Sequence, residues 1–140
     1  MKAKDLPQSK MVLTRGKRKR AVAEAWFKPG KGSVKINSVP LENMGNELAK
    51  LRIQEPLILA GDEWKKYSIN VSVHGGGIMG QADAARQAIS RGIVNVFPEM
   101  KERFLKYDRF LLAYDPRRTE PHKPPRSSQG PRRYKQRSKR

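Results

Sequence analysis

The sequence predicts an α+β domain in which a small mixed sheet packs against helices on one face, with basic extensions at both ends. Segments of alternating apolar and polar residues are separated by segments with helical spacing, and glycine- and proline-rich stretches mark turns between them. The excess positive charge lies at the two ends of the 140-residue chain. We therefore expect a basic N-terminal arm over 1–17, a globular domain over 18–114 and an extended tail over 115–140.

The first part of the domain is predicted to form a β-hairpin. Residues 21–27 alternate small apolar residues with Val22, Glu24 and Trp26, which is typical of a strand. A turn over 28–32 contains proline and glycine, and residues 33–36 then alternate again. We expect these two strands to pair with each other, and the last few residues of the arm to lead into the first of them.

The middle of the domain is predicted to contain a short helix followed by a strand. Residues 47–54 include Leu48 and Leu51 at helical spacing, and Pro56 is expected to end this helix and to open a further brief turn through Ala60. In residues 67–74, apolar Tyr67, Ile69, Val71 and Val73 alternate with polar residues. One face of this strand should be buried, and the other should be solvated or contact a partner.

The last third of the domain is predicted to form two helices and a final strand. The residues at i, i+3, i+4, i+7, i+8 and i+11 of the first helix are Ala85, Ala88, Ile89, Gly92, Ile93 and Val96. The small Ala88 and Gly92 would let this helix lie close to the sheet. Pro98 is expected to start the second helix, with Met100, Phe104 and Tyr107 on one side, and residues 110–114 are expected to be the last strand.

The charge distribution predicts a polyanionic partner. The formal net charge is +18, of which residues 2–20 contribute +7, residues 115–140 contribute +8 and the middle only +3. The nearly balanced middle can fold without strong self-repulsion, whereas the two ends would gain order from nucleic acid. Seven of the ten cations in the tail are arginines, which can grip two phosphate oxygens at once, and its five prolines favour an extended path. The 26 residues of the tail, if fully extended, could span up to roughly 85 Å.

Several classes of function are excluded or disfavoured by composition. The chain has no cysteine, which excludes disulfides and thiol catalysis, and its two histidines make a histidine-based metal site unexpected. There is no apolar run of about 20 residues and no apolar signal core at the start. We expect a cytoplasmic protein with no catalytic residue, cofactor, metal or small-molecule substrate.

The glycine-rich loop HGGGIMGQ, which joins a predicted strand to a predicted helix, has three interpretations. Its backbone N–H groups could hold the phosphates of ATP, but the spacing fits neither common nucleotide-binding motif, no lysine follows, and Asp83 stands alone as a magnesium ligand. The glycines could instead make a tight turn that lets two backbones approach. They could also bring an RNA phosphate to the N–H groups, and this is compatible with the structural role.

The loop and the helix after it resemble the signature of a known family. Gly75-Gly76-Gly77, then Gly80-Gln81, Ala84, Ala88 and Ser90-Arg91-Gly92-Ile93 are similar to the universal small-subunit ribosomal protein nine family. Residues 16–19, residues 28–37 and the basic tail from Asp115 also resemble that family, in its archaeal form. The resemblance implies a fold like the second domain of ribosomal protein five of the same subunit, with a left-handed β-α-β crossover. That fold also occurs in small-molecule kinases, but fold kinship does not transfer their activity.

The resemblance further implies a structural role in the head of the small ribosomal subunit, beside neighbouring ribosomal proteins, with a tail that reaches the anticodon stem-loop of P-site tRNA. The residues expected to bind rRNA are Arg15, Lys17, Arg18, Lys19, Arg20, Lys28, Lys31, Gly75, Gly76, Gly77, Arg117, Arg118, Lys123, Arg126, Arg132 and Arg133. The residues expected to bind tRNA are Ser138, Lys139 and Arg140. The alternatives are a small phosphoryl-transfer enzyme that uses the Gly75–Gly80 loop for ATP and a general basic nucleic-acid-binding protein.

Overall fold

The computed structural model of the chain describes residues 11–121. Its strands are Val12–Arg18 (β1), Ala21–Pro29 (β2), Val34–Ile36 (β3), Val39–Pro40 (β4) and Tyr67–His74 (β5). They form one sheet in the order β1-β2-β5-β3-β4, in which β3 and β5 are parallel and the other neighbours are antiparallel. The mixed sheet expected from the sequence is therefore confirmed.

Three α-helices pack with the sheet, namely Glu47–Ala60 (α1), Ile78–Val96 (α2) and Lys101–Tyr107 (α3). Single 3-10 turns lie at Leu41–Asn43, Glu63–Lys66, Pro98–Met100 and Arg109–Leu111. The α+β class is confirmed, and α1 connects the parallel strands β3 and β5 as a β-α-β unit. The left-handed crossover stays a prediction. None of the helices in the described part of the chain is long and apolar enough to cross a membrane.

The hairpin is formed by other strands than those expected. β2 pairs with β1 through the two-residue turn Lys19-Arg20, and β3 pairs with β5 and β4 rather than with β2. The prediction that residues 21–27 pair with 33–36 is wrong, because β5 lies between these two strands. Residues 12–17, which the sequence had placed in the arm, belong to β1, where Thr14 and Gly16 are buried between exposed cations.

The first helix is longer than predicted, and a different set of its residues faces the core. α1 continues through Pro56 to Ala60, so the expectation that Pro56 ends the helix is wrong. The Pro56 ring is buried, and that burial offsets the missing backbone hydrogen bond. The core side is formed by Ala49, Ile53 and Leu57, whereas Leu48 is 67% exposed.

The second helix follows its prediction closely. The stripe from Ala85 to Ile93 is buried, and the small residues do let the helix lie against the sheet. A Cβ atom at Gly92 would lie 1.9 Å from the Phe27 ring, so this aromatic residue fills the space that the glycine leaves. In the same way, a Cβ atom at Gly16 would lie 2.1 Å from the Ala84 carbonyl oxygen. Two glycines on opposite partners thus fix the distance between α2 and the sheet.

Residues 110–114 do not form the predicted last strand. They form the end of a 3-10 turn and an irregular segment. The backbone carbonyl groups here accept hydrogen bonds from side chains of α2 instead of from a strand: Gln87 donates to Ala113 and Arg91 donates to Leu112 at 2.9 Å. Leu111 is fully buried, which explains the apolar run without a sixth strand.

Side chains of α2 also cover the free edge of β1. The Thr14 hydroxyl donates to the Ala88 carbonyl at 2.8 Å, and the Lys17 N–H donates to Gln87 Oε1 at 2.9 Å. Arg91 donates to the Arg15 carbonyl at 2.8 Å. The contacts from Gln87 and Arg91 satisfy backbone groups of Lys17 and Arg15 that an edge strand would otherwise leave unpaired, and the Thr14 hydroxyl adds a further link to the helix. They hold β1 against the middle of α2, while the basic turn that follows β1 approaches the loop and the first turn at the start of α2, where Gly80 lies close to the Arg18 carbonyl.

Candidate nucleic-acid interface

A surface cleft of about 590 Å³ lies where three separate parts of the chain meet. These parts are the β1–β2 turn, the start of α2 and the segment that leaves the domain after the last helix. The predicted rRNA-binding residues in its lining are Arg18, Lys19, Arg20, Gly76, Gly77 and Arg118. No carboxylate belongs to the lining within the described residues. The structure thus brings residues from three sequence segments into one basic concave surface.

The β1–β2 turn exposes two of these cations. Arg18 pairs with Ala21 in the antiparallel register, so Lys19 and Arg20 alone make the turn. Lys19 adopts a φ of 54°, a left-handed conformation that two-residue hairpin turns require and that residues other than glycine rarely adopt. Both side chains are exposed. A tight turn at this point therefore presents two charges at the mouth of the cleft.

Two glycines of the loop before α2 are required by the backbone itself. Gly75 has a φ of 74° and Gly76 has a φ of 66°, both in the left-handed region. Added Cβ atoms would lie 2.7 Å from the Arg20 carbonyl oxygen and 2.9 Å from the Ala21 N atom, respectively. The loop therefore packs directly against the β1–β2 turn, and the interpretation of a tight turn with close backbone approach accounts for both residues.

Gly77 is different, because packing does not explain its missing side chain. It is the N-cap residue of α2, with a φ of −100°, and no heavy atom lies within 4 Å of the position of an added Cβ. No side chain caps the helix at this point. The first N–H groups of α2, which have no partner within the helix, are therefore accessible beside Lys19 and Arg20. This arrangement suits a bound phosphate group.

The segment after the last helix is fastened to the domain by Asp115. This carboxylate is only 5% exposed and accepts hydrogen bonds from the Arg117 guanidinium and the Arg117 N–H, at 2.7–3.1 Å. Arg18 Nη1 lies 3.0 Å from Asp115 Oδ2, the oxygen that also accepts from Arg117 Nη2. The hydrogen bonds from Arg117, helped by the charge of Arg18, lower the pKa of Asp115 from 3.8 to about 2 against the opposing effect of burial. Two cations predicted to bind RNA, Arg18 and Arg117, are thus engaged in anchoring the segment that precedes the tail.

The other predicted rRNA-binding residues lie in different surroundings. Arg118 contacts the Tyr114 ring at 5.9 Å and lines the cleft. Arg15 is 71% exposed and pairs with Glu24 at 2.9 Å, on the sheet face away from the helices, where Lys17 is also exposed. Lys28 lies at the opposite end of β2, seven residues and roughly 23 Å from the cleft, with Lys31 in the following turn.

Sequence reasoning missed the lysines that adjoin this opposite end. The Gly30 N–H donates to the Lys66 carbonyl at 2.9 Å, which brings Lys65 and Lys66 beside the turn that contains Lys31. Lys65 itself pairs with Asp62 at 2.6 Å. Only the pairing of β2 with β5 makes these residues neighbours, so no local pattern could have indicated it.

The acidic residue once considered as a magnesium ligand is already paired. Asp83 lies 3.2 Å from Arg52 and 3.9 Å from Arg18. In residues 11–121 there is no group of three or more potential metal ligands. The remaining predicted residues, which are Lys123, Arg126, Arg132, Arg133, Ser138, Lys139 and Arg140, lie outside the described residues.

Comparison with known proteins identifies similar sequences over almost the whole chain. The family model described as "Ribosomal protein S9/S16" matches residues 16–140. The small ribosomal subunit protein uS9 of Methanococcus maripaludis strain C7 is 48% identical over 131 residues, which cover 92% of this chain and 98% of that protein. The protein of the same name from Desulfurococcus amylolyticus is 53% identical over 116 residues, which cover 81% and 83%. The resemblance to the archaeal form is confirmed.

Proposed function

Because the chain belongs to the ribosomal protein S9/S16 family, we propose that it binds small-subunit rRNA through the basic cleft and reaches P-site tRNA with its tail. Family membership makes it a structural constituent of the small ribosomal subunit with a role in translation. The family consists of structural proteins, so the phosphoryl-transfer alternative is set aside. The subunit in which we place the chain works in the cytoplasm, and its neighbours there are rRNA and other ribosomal proteins.

One observation supports the cleft as the docking site more than any other. Lys19, Arg20 and Arg118 converge on the uncapped start of α2 from two distant parts of the sequence. Neutralising phosphates releases counterions, so each such contact adds affinity without depending on base identity. The N–H groups at the helix start add directed hydrogen bonds, which fix the orientation of the domain on the RNA.

The tail is proposed to extend this contact to tRNA. Asp115, held by Arg18 and Arg117, anchors the start of the tail beside the cleft. The 26 residues from Asp115 onward have ten cations and five prolines, which favours an extended chain lying along phosphates. Ser138, Lys139 and Arg140 at its end are proposed to contact the anticodon stem-loop.

The cleft is tested by the salt dependence of binding to an rRNA fragment from the head of the subunit. Arg20→Ala should weaken binding and lower the slope of log affinity against log salt concentration by about 1, as the loss of one phosphate contact requires. Arg103→Ala, which removes a cation on α3 that is also exposed, is the matched control and should leave the slope unchanged. Equal slopes for Arg20→Ala and the unsubstituted chain would contradict the proposal. Equal affinity for duplex DNA would favour the general basic nucleic-acid-binding protein.

The tail is tested separately by deletion of residues 130–140. Subunits that contain the truncated chain should assemble normally, because the cleft remains, but should release P-site tRNA faster. The measurement is the dissociation rate of tRNA from purified subunits with and without the truncation. Equal rates would contradict the role of the tail without affecting the role of the cleft.

A further inference from the structure

The sheet face that points away from the helices has a tryptophan near its centre. One row of residues in register across four strands of this face consists of Leu13, Trp26, Asn70 and Lys35. Trp26 is half-buried, yet it is not among the residues that pack against the core. Its indole N–H and the Asn70 amide have no hydrogen-bond partner within residues 11–121. A large aromatic side chain with an unpaired donor is therefore presented to whatever covers this face.

The surface on either side of Trp26 is concave. Two shallow depressions of about 400 and 340 Å³ flank the indole, and Trp26 and Asn70 line both of them. Lys35 lines the first and Lys28 lines the second. A flat aromatic surface thus has a hydrogen-bonding amide beside it and a cation on each side.

The charge of this face indicates which class of partner fits it. Its exposed cations include Arg15, Lys17, Lys28 and Lys35, whereas the carboxylate of Glu24 is already paired with Arg15 at 2.9 Å. The remaining side chains of β5 on this face are Ser68, Asn70, Ser72 and His74, which are polar. The core of a protein–protein interface is depleted in charge and enriched in apolar groups, which does not describe this surface. The exposed apolar residues Leu13 and Met11 lie beside Trp26, but cations surround this small group. An electropositive face with a central aromatic is suited to single-stranded nucleic acid.

We propose that this face binds an unpaired base of rRNA, stacked on the Trp26 indole. The inference rests on the proposed function, because it assigns a second contact to the same RNA partner. The Asn70 amide, which has two donors and one acceptor, hydrogen-bonds to the edge of the base. Lys28 and Lys35 then neutralise the phosphates before and after the stacked nucleotide. The cleft and this face contact the RNA in different ways, one through the helix start and the other through stacking.

Trp26 fluorescence tests the stacking directly. In the full chain with Trp64→Phe, Trp26 is the only indole, and a single-stranded oligoribonucleotide of about ten nucleotides should quench its emission saturably. In the reciprocal variant Trp26→Phe, the half-buried Trp64, which packs against the core, should not be quenched. Absence of quenching in the Trp64→Phe chain would overturn the proposal.

Affinity measurements provide a second test that does not depend on Trp64. Trp26→Ala should weaken binding of the same oligoribonucleotide by roughly 5- to 150-fold, as expected for loss of one base–aromatic stack, while Trp26→Phe should keep most of the affinity. Because Trp26 lies outside the core cluster, both variants should remain folded at the temperature of the binding assay, which thermal denaturation checks. Equal affinities for the two variants would contradict stacking.

Outcomes at the two sites separate this inference from the proposed function. If Trp26→Ala has no effect on the oligoribonucleotide while Arg20→Ala still weakens binding to structured rRNA, the stacking proposal is wrong and the cleft stands. If neither substitution affects any RNA, both are wrong. A protein side chain found on Trp26 in the assembled subunit would also overturn the stacking proposal.

Discussion

The glycines before α2 allow the structural and the binding roles of the loop to be separated by two single substitutions. Gly76→Ala places a side chain on a residue with a φ of 66°, which is unfavourable for an L-residue by about 1–2 kcal/mol. The new Cβ also lies 2.9 Å from the Ala21 N atom and 3.1 Å from its Cβ, and such overpacking destabilises by about 1–3 kcal/mol. Because one backbone shift relieves part of both effects, we expect a total loss of about 2–3 kcal/mol in the free energy of unfolding.

Gly77→Ala is the matched comparison at the next residue. Its φ of −100° suits any residue, and an added Cβ meets no atom within 4 Å. Alanine stabilises by reducing the conformational entropy of the unfolded chain, but it is a poorer N-cap residue than glycine. These two effects oppose each other, so the free energy of unfolding should change by less than about 1 kcal/mol. The new methyl group lies at the helix start in the cleft, however, and should displace a bound phosphate. Loss of one charge-assisted hydrogen bond predicts about tenfold weaker binding to rRNA.

Urea denaturation and rRNA-fragment binding, measured on both variants, provide the assay. Gly76→Ala should shift the urea midpoint strongly, whereas Gly77→Ala should leave the midpoint nearly unchanged and weaken RNA binding. If the two substitutions destabilise the protein equally, the conclusion that Gly76 requires a left-handed backbone and Gly77 does not would be refuted. Unchanged RNA affinity in Gly77→Ala would refute the contact between phosphate and the start of α2.

Two further predictions concern the domain that holds the cleft. Gly16→Ala should lower the free energy of unfolding, measured by urea denaturation, by about 3 kcal/mol. The new Cβ would lie 2.1 Å from the Ala84 carbonyl oxygen and 2.6 Å from the Ala88 N atom, so α2 must move. Gly45→Ala, whose new Cβ meets no atom within 4 Å, should leave the urea midpoint unchanged, and equal midpoints for the two variants would contradict this packing. Asp115 has a pKa lowered from 3.8 to about 2, so its contribution to stability is complete above about pH 4 and is lost as the pH falls towards 2. Thermal denaturation between pH 2 and pH 6 should therefore show a weaker pH dependence in Asp115→Asn, and parallel curves would contradict the ion pairs.

The sequence predicted the elements whose periodicity is strong and whose partners lie nearby. Residues 67–74 alternate without exception, and the stripe from Ala85 to Ile93 has the spacing of one helix face, so β5 and α2 were correctly placed. The small residues Ala88 and Gly92 also correctly indicated close packing, because few other reasons place such residues on a core stripe.

Elements determined by distant contacts were not predictable in this way. The buried residues of β1 are a threonine and a glycine, and its exposed residues include Arg15 and Lys17, so the segment resembles a basic arm. The partner of β2 depends on β5 entering the sheet beside it, which no local pattern shows. Residues 110–114 have the composition of a strand, but Gln87 and Arg91 of α2 occupy their carbonyl groups.

The composition of the sequence indicated residues for a candidate site, and their role in RNA binding stays a prediction, but their arrangement could not be predicted. Charge density predicted that Lys19, Arg20 and Arg118 contact RNA, and in the structure all three are exposed, as such contact would require. It could not show that Arg18 and Arg117 are bound to Asp115, because charge counting does not tell an exposed cation from one in an ion pair. Nor could it show that Gly77, unlike the two glycines before it, is free of steric constraint.

A map of the small ribosomal subunit that contains this chain, with side-chain detail around the start of α2, would show what occupies the cleft. We expect an rRNA phosphate within about 3 Å of a backbone N–H in the first turn of α2, with the charged groups of Lys19 and Arg20 on the same or the next phosphate. A cleft that faces solvent, or that is filled by another protein, would show that rRNA does not dock there.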